Sequence, residues 1–326
     1  MKLRRPRTQW RVLLAVGALL GTAIVMGAAM QAVKQVPKMP PDLVPERPPI
    51  VGISHIGLKV SNLEATRQFY GHVLGYDEPF KVDNPDGSLA HTYFKVNDHQ
   101  YIEIFPSLKS PDEDRLSHIA FETTDSPALR DYLAMKGVKV PDRVKPGHDG
   151  NLNFTVTDPD GHRVEFVQYM PGSLHMSNFG KFMPETRISD HIQHVGISVA
   201  DRAAADKFYK DILGFRLGWY GGATRQGTEY VNMGVPEGKD WVEYMLNVKN
   251  PTPRELGGAH HLSLVVPSVR ASAKVLASRG YKAGKPEVGL SGKRQMSSHD
   301  PDLTRVELME PKTVRTPCCS PMPDWQ

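Results

Sequence analysis

The sequence predicts an α+β protein made of two tandem domains, each built from two βαβββ units. The first observation behind this prediction is that residues 53–76 (ISHIGLKVSNLEATRQFYGHVLGY) recur without gaps as residues 192–215 (IQHVGISVADRAAADKFYKDILGF). The second is that later segments correspond in the same order: YIEIF (101–105) with WVEYM (241–245), and DPDGHRVEFV (158–167) with DPDLTRVELM (300–309). Such self-similarity is typical of a repeated architecture.

Each half divides into two units because the order of predicted elements restarts within it. The β-branched segment 53–60 predicts a strand, and the apolar residues of 63–74 have the spacing of a helix that Gly75 ends. Alternating polar and apolar residues in 89–96 and 100–105 predict further strands. The same order begins again at residue 116, so we predict four units at 51–106, 116–169, 191–247 and 258–310.

The first 32 residues predict a targeting segment that forms an apolar helix. Basic residues in positions 2–11 precede an uncharged apolar stretch from Val12 to Met30, with small residues near its end. This order is typical of a secretory signal peptide, and the alternative is an uncleaved membrane anchor. We therefore expect the body of the protein to be exported, as a periplasmic or secreted protein or one held at the membrane by this segment alone.

The remaining boundaries follow from composition. A proline-rich linker is predicted before the first domain, a second linker between the domains and a tail after them, with bounds 33–50 (linker), 51–170 (first domain), 171–190 (linker), 191–311 (second domain) and 312–326 (tail). The tail contains two adjacent cysteines, Cys318 and Cys319. Adjacent cysteines rarely bridge each other, so we expect an incidental tail, with intermolecular pairing as the alternative.

The overall composition is that of an ordinary globular protein, with 40% hydrophobic and 23% charged residues in 326. The formal net charge is +4, and the basic residues of the targeting segment contribute part of it. The body is close to neutral and shows no basic stripe, which argues against a nucleic-acid partner. We expect a small-molecule partner and a monomer or homodimer.

Histidine and glutamate residues occupy matched positions in the four units. Each unit has a His on its first predicted strand (His55, His118, His194 and His261) and a Glu on its last (Glu103, Glu165, Glu243 and Glu307). A lone His or Glu on a strand is usually structural, but a Glu within an apolar strand is costly unless it is paired or binds a metal. Four matched pairs therefore predict a site for a divalent metal ion, of which Ni, Zn, Co, Mn and Fe all suit imidazole and carboxylate ligands.

Over residues 51–310 the sequence resembles the vicinal oxygen chelate (VOC) superfamily, also called the glyoxalase, bleomycin-resistance and extradiol dioxygenase superfamily. The resemblance is strongest in SHIGLKV, FYGHVLGY and DPDGHRVEFVQ. It implies tandem VOC domains in which paired units form curled mixed sheets around a metal-containing cleft. The His, Glu, His, Glu order is most similar to bacterial glyoxalase I. This order implies one site at His55, Glu103, His118 and Glu165 and another at His194, Glu243, His261 and Glu307.

The grouping of these residues depends on which units pair. In a swapped arrangement, units of different halves would face each other. His55 and Glu103 would then meet His261 and Glu307, while His194 and Glu243 would meet His118 and Glu165. The sequence leaves both arrangements open.

The resemblance also implies a function: a metalloenzyme that chelates adjacent oxygens of a small substrate and catalyses isomerase or lyase chemistry through an enediolate, as lactoylglutathione lyases do. Glu165 and Glu307 are the expected ligand-bases, with Glu103 and Glu243 as alternatives. Glutathione is mainly a cytoplasmic thiol, so an exported enzyme is expected to act on another substrate, whose identity the sequence does not reveal.

Two other functions are alternatives. An Fe(II) extradiol ring-cleavage dioxygenase uses two His and one carboxylate, and a fourth protein ligand would crowd that arrangement. A non-catalytic ligand-binding or resistance protein would use the same cleft without chemistry, although such proteins generally lack a full ligand set.

Overall fold

The computed structural model describes residues 46–224, 227–248 and 251–324. The predicted targeting segment, residues 1–32, and most of the linker at 33–50 lie outside this range. The described residues, from Glu46 onward, belong to one compact unit. Among the described helices, none is long and apolar enough to cross a membrane. The domain boundaries proposed from composition stay predictions.

The first half forms one mixed sheet of eight strands in the order β2-β3-β4-β1-β5-β8-β7-β6. Its strands are β1 (Ile50–Lys59), β2 (Phe80–Asp83), β3 (Leu89–Lys95), β4 (Tyr101–Phe105), β5 (Leu116–Thr123), β6 (Lys145–Pro146), β7 (Leu152–Thr157) and β8 (Arg163–Gln168). The central contact is the antiparallel pair β1 and β5, which joins unit one to unit two.

The second half repeats this sheet in the order β10-β11-β12-β9-β13-β16-β15-β14. Its strands are β9 (Ile192–Ser198), β10 (Arg216–Gly221), β11 (Tyr230–Gly234), β12 (Trp241–Met245), β13 (His261–Val265), β14 (Glu287–Val288), β15 (Lys293–His299) and β16 (Arg305–Thr313). Antiparallel pairing of β9 with β13 joins its two units. The predicted α+β fold of paired βαβββ units is confirmed, and pairing occurs within each half rather than in the swapped arrangement.

Helices connect the first two strands of each unit. They are α1 (Leu63–Arg67) with a π-helical turn (Gln68–Val73), α2 (Ser126–Met135), α4 (Arg202–Asp206) with a π-helical turn (Lys207–Ile212), and α6 (Val269–Ser278). Each begins at a side chain that accepts a backbone N–H, for example Asn62 before α1 and Asp201 before α4. Gly75 follows the first of these helices with φ 82°, a conformation that favours glycine, as predicted for a helix stop.

Reciprocal hydrogen bonds connect the two halves. The Tyr70 hydroxyl donates to Asp300 Oδ2 at 3.0 Å, and the Tyr209 hydroxyl donates to Asp158 Oδ2 at 3.0 Å. Each bond ties the first helical segment of one half to the turn before the last strand of the other. The turns that lead into β8 and β16 are thus held by the opposite half.

Two segments outside the units are more structured than expected. The predicted linker at 171–190 contains the short helix α3 (Leu174–Ser177), and β16 extends into the predicted tail. A further helix, α5 (Pro253–Ala259), precedes β13. The tail then runs back along the second sheet, where Cys318 N–H donates to the Leu290 carbonyl at 2.9 Å. Cys318 and Cys319 form a disulfide, contrary to the expectation for adjacent cysteines.

The hydrogen bond between the halves predicts a stability effect. Tyr70→Phe should lower the free energy of unfolding by about 1–3 kcal/mol, because the buried Asp300 carboxyl loses a donor. Chemical denaturation measures this change. Tyr220→Phe is the control, since that side chain is 37% exposed, and its effect should stay below about 0.5 kcal/mol. Equal effects of the two substitutions would contradict the prediction.

Candidate metal centre

Two rows of residues across the first sheet carry the predicted ligands of the first half. In one row, Gly57 of β1 lies between Glu103 of β4 and His118 of β5. A Cβ atom on residue 57 would lie 2.5 Å from a ring carbon of His118. Glycine at this position therefore leaves the space that the imidazole occupies.

The other row places Ala120 of β5 between His55 of β1 and Glu165 of β8. Side chains alternate between the faces of a sheet, so His55 shares a face with Gly57, and Ala120 shares it with His118. All four predicted ligands therefore project from one face, above two small residues.

The four side chains of this first quartet (His55, Glu103, His118 and Glu165) converge. His55 Nε2 lies 2.9 Å from His118 Nε2. Glu165 Oε2 lies 3.0 Å from His118 Nε2 and 3.3 Å from His55 Nε2. Glu103 Oε2 lies 3.1 and 3.3 Å from the same two nitrogens. The structure thus brings together the grouping expected for pairing within one half.

The first quartet is a buried set of opposite charges. Burial disfavours the charged forms, but hydrogen bonds and attraction between imidazoles and carboxylates outweigh it. They raise the pKa of His55 to about 10 and lower the pKa of Glu165 to about 2. The pKa of Glu103 is likewise held well below its usual range. Two carboxylates here require positive charge, which protons on the imidazoles provide and a divalent cation could provide instead.

The donor atoms of the first quartet fit such a cation. Glu103 Oε2 is buried and has no well-aligned hydrogen-bond donor among the described residues, although the two Nε2 atoms lie 3.1 and 3.3 Å from it. Ser54 Oγ lies 3.1 Å from His55 Nδ1, and Ser117 Oγ lies 3.2 Å from His118 Nδ1. These contacts orient both rings and leave both Nε2 atoms directed at the centre. The ligand atoms of His55, Glu103 and His118 all lie within 4.8 Å of one another.

Two neighbours on β3 complete the first quartet's surroundings. The Tyr93 hydroxyl donates to Glu103 Oε1 at 2.6 Å, and His91 Nε2 lies 3.5 Å from the same oxygen. His91 was not among the site residues predicted from the sequence. The signal was present, because Tyr93 pairs with Glu103 across the sheet and His91 is two residues away on the same face.

The predicted ligands of the second half form a looser group, the second quartet (His194, Glu243, His261 and Glu307). His194 Nε2 lies 3.1 Å from His261 Nε2 and 3.4 Å from Glu307 Oε2. Glu243 Oε2 lies 3.4 Å from His261 Nε2 and 3.9 Å from His194 Nε2. Ligand atoms of His194, Glu243 and His261 also fall within 4.8 Å of one another. The assignment of ligand roles in either half stays a prediction.

A guanidinium that sequence analysis missed enters the second quartet. Arg305 Nη2 lies 2.7 Å from His261 Nε2 and 3.9 Å from Glu243 Oε2, and Arg305 Nη1 lies 3.6 Å from Glu307 Oε1. Arg305 precedes Glu307 by two residues on β16, which places both side chains on the same face. Its counterpart in the first half, Arg163, is exposed.

The electrostatics of the second quartet differ accordingly. Burial, together with the charge of Arg305, holds the pKa of His261 well below its usual range. Burial also depresses the pKa of His194. Burial raises the pKa of Glu307 to about 7; attraction by Arg305 opposes this rise, and repulsion by Glu243 adds to it. The positive charge in this quartet thus resides on Arg305 rather than on imidazoles.

Four other aromatic or histidine residues lie in different surroundings. Tyr230 and Trp241 line a cavity of about 310 Å³ beside the second quartet, whereas Phe94 belongs to the hydrophobic core. His260 lies outside the quartet and is only 2% exposed, where Nδ1 contacts Asp114 and Nε2 contacts Ser198, each at 2.9 Å.

A family profile agrees with this architecture. The profile of the Glyoxalase/Bleomycin resistance protein/Dioxygenase superfamily matches residues 52–166 and 191–308. The chain belongs to this VOC superfamily. The two matched segments correspond to the two sheets, so each half is a VOC domain.

Curated relatives of this VOC protein include two kinds of enzyme. The lactoylglutathione lyase of Neisseria meningitidis is 28% identical over 125 residues, which are 36% of this chain and 91% of that protein. A probable lactoylglutathione lyase of Synechocystis is 31% identical over 121 residues, covering 35% of this chain and 92% of that protein. The iron-dependent extradiol dioxygenase of Rhodococcus jostii is 28% identical over 178 residues; these are 52% of this chain and 55% of the dioxygenase.

Solved structures share the fold of this VOC chain. The Mn(II)-bound glyoxalase of Novosphingobium aromaticivorans aligns over 81% of this chain and 83% of its own, with 19% identity and a TM-score of 0.62. The 2,3-dioxygenase LapB of a Pseudomonas species aligns over 85% of this chain and 98% of its own, with 17% identity and a TM-score of 0.63. At these identities the likeness concerns the fold alone.

The space above Gly57 predicts a mutational effect on metal content. Gly57→Ala should displace the His118 imidazole, and divalent metal per chain should fall by at least about tenfold. Elemental analysis of the purified, folded variant measures this. Gly71→Ala is the matched control, because a Cβ there would have its nearest neighbours at 3.7 Å. Full metal content in Gly57→Ala would be inconsistent with a site at the first quartet.

Proposed function

We propose that this chain is a divalent-metal-dependent VOC enzyme with its active site at the first quartet. Its reaction is isomerase or lyase chemistry on a small substrate that carries adjacent oxygens, of the lactoylglutathione lyase type. The observation that carries the proposal is the convergence of two imidazoles and two carboxylates, with each Glu oxygen 3.0–3.3 Å from both His Nε2 atoms. Relatives named as lactoylglutathione lyases, each matched over about one domain's length, support the reaction class.

His55, Glu103, His118 and Glu165 would hold the metal. Several cations suit this mixed nitrogen and oxygen set, so the metal is proposed only as a divalent ion of the Ni, Zn, Co, Mn or Fe group. When bound, such a cation supplies Lewis acidity toward the oxygens of a substrate. Four protein ligands leave about two positions of an octahedron for those oxygens, which is why a substrate with adjacent oxygens is proposed.

Glu165 is the better candidate for the proton-transfer base. The Tyr93 hydroxyl holds Glu103 in place, whereas the contacts of Glu165 within the described chain are those to His55 and His118. The Glu165 side chain is 14% exposed, compared with 5% for Glu103. A carboxylate at the open edge of the quartet can reach a substrate carbon while the more buried one stays fixed.

His91 lies at the same opening. Its side chain is 17% exposed and near Glu103, and burial lowers its pKa below the ordinary value. A neutral imidazole there can donate a hydrogen bond to a substrate oxygen or accept one from a substrate hydroxyl. We propose that His91 orients the substrate. Its position beside Glu103 rather than between the ligands makes a metal-ligand role less favourable.

An iron-dependent extradiol dioxygenase is the second candidate, because such an enzyme of Rhodococcus jostii matches 52% of this chain. The fourth donor argues against it, since two His and one carboxylate suffice for that chemistry and leave room for O₂. Export also stays a proposal, supported by the sequence of residues 1–32. The expectation that the substrate is not a glutathione adduct depends on this proposal that the protein is exported.

The decisive experiment combines metal analysis with turnover. Wild-type protein should contain one divalent cation per chain and should isomerise a hemithioacetal, while catechol should not be cleaved. Glu165→Gln should lower kcat by about 10²-fold or more, because the amide cannot accept the proton. Elemental analysis and a spectrophotometric assay measure the two quantities.

Two further variants serve as comparisons for this experiment. Glu64→Gln is the matched control, since its side chain is 81% exposed on α1. Glu307→Gln makes the same change in the second quartet and should leave metal content and turnover unaltered. Wild-type protein without stoichiometric metal would end the enzyme proposal, and loss of metal only in Glu307→Gln would move the working site to the second half.

A further inference from the structure

The second half contains a cavity that the first quartet does not use. It has a volume of about 310 Å³ and is lined in part by His194, Glu243 and Glu307 of the second quartet. Much of its wall is aromatic or apolar, from Trp219, Tyr230, Trp241, Met245, Met309 and Met322. A cavity of this size and character is typical of a site for a small organic ligand.

The second quartet does not fit a divalent cation as the first does. His261 Nδ1 donates to the Ala259 carbonyl at 2.9 Å, which leaves the lone pair on Nε2. Arg305 Nη2 lies against this ring, 2.7 Å from Nε2 and 2.9 Å from Nδ1. A guanidinium stays charged at any ordinary pH, so it repels a cation and already neutralises nearby carboxylate charge. The guanidinium thus lies beside the nitrogen that would bind a metal.

A buried ammonium in the cavity wall lacks a counter-ion among the residues that the structure describes. Lys293 is only 2% exposed, and its Nζ lies 5.0 Å from the ring centre of Trp241. Within the described part of the chain, no carboxylate or carbonyl accepts a hydrogen bond from this Nζ. Burial lowers the pKa of Lys293 to about 8, which reflects the cost of a charge without a partner. The repeat counterpart, Asn151, instead bonds to Asp149 and His175.

Two further polar groups belong to residues of this wall. Asn232 Oδ1 and Trp241 Nε1 are buried and make no hydrogen bond with the described residues. Both residues line the same cavity as Lys293. Because buried polar groups are nearly always satisfied, three such groups around one cavity indicate a ligand that supplies their partners.

We propose that the second VOC domain binds a small aromatic carboxylate in this cavity, with the carboxylate on Lys293 and Trp241 Nε1–H. The aromatic body packs against Trp219, Tyr230 and the methionine side chains. This is a metal-independent ligand site, distinct from the chemistry proposed for the first quartet.

The charges around the cavity favour one negative charge on the ligand. Glu243 and Glu307 lie on the quartet side, where Arg305 accompanies them, and Glu287 lies at the exposed rim. A dianion such as a phosphate ester would be repelled by these carboxylates. A ligand with a single carboxylate at Lys293 is instead neutralised by the one ammonium group. Aromatic walls also favour a ring over a polar body such as a sugar.

Isothermal titration of the full-length, metal-stripped protein with 2-naphthoate and with the neutral 2-naphthamide tests the proposal. Naphthoate should bind at one site per chain and more tightly than the amide. Lys293→Met should weaken naphthoate binding by about tenfold or more and leave amide binding nearly unchanged. Lys274→Met on α6 is the matched control, because Lys274 is exposed. Thermal unfolding confirms that each variant is folded.

A second measurement tests the role of Arg305 separately. Arg305→Met should raise the divalent metal content by one equivalent per chain, because the second quartet would lose its internal cation. This increase is expected whether or not the first quartet binds metal. An unchanged metal content in Arg305→Met would therefore contradict the role given to Arg305 without bearing on the function proposed for the first quartet. The inference is overturned if the wild-type protein contains a bound cation that the Glu307→Gln variant lacks. It is also overturned if naphthoate fails to bind or if Lys293→Met weakens both probes equally.

Discussion

Compensation of buried negative charge is the constraint on which the first sheet depends. Glu103 and Glu165 project from apolar strands into a pocket where water provides little solvation. Their charge is tolerable only because His55 and His118 face them at 3.0–3.3 Å. The small residues Gly57 and Ala120 beneath the quartet follow from this requirement, because larger side chains would separate the charges.

The two halves meet the same constraint with different cations. In the first half the Tyr93 hydroxyl donates to Glu103, and protons on the imidazoles or a bound metal provide the positive charge. In the second half Asn232 takes the position opposite Glu243 that Tyr93 takes opposite Glu103. The shorter side chain leaves space, and Arg305 fills part of it with a permanent charge. The remaining space is the cavity beside Lys293.

The chain outside the repeats reinforces this difference. After the first sheet it turns into α3, and His175 packs against Tyr101 with ring centres 4.5 Å apart. After the second sheet the tail instead lies along the cavity mouth, where Trp219 Nε1 donates to the Cys318 carbonyl at 2.7 Å and Met322 contributes to the wall. The first half thus has α3 packed against β4, whereas the second half has the tail along the edge of its cavity.

The sequence alone determined the fold class, the four units and the eight His and Glu candidates, because strand alternation and an internal repeat are local patterns that survive in one chain. It left open which units pair, and only the β1–β5 and β9–β13 contacts decided this. His91, Arg305 and Lys293 escaped prediction because their roles depend on what lies across the sheet. Arg163 and Arg305 occupy the same position of the repeat, yet one is exposed and the other enters a quartet. That choice depends on the volume left by a neighbouring strand, which only the tertiary structure specifies.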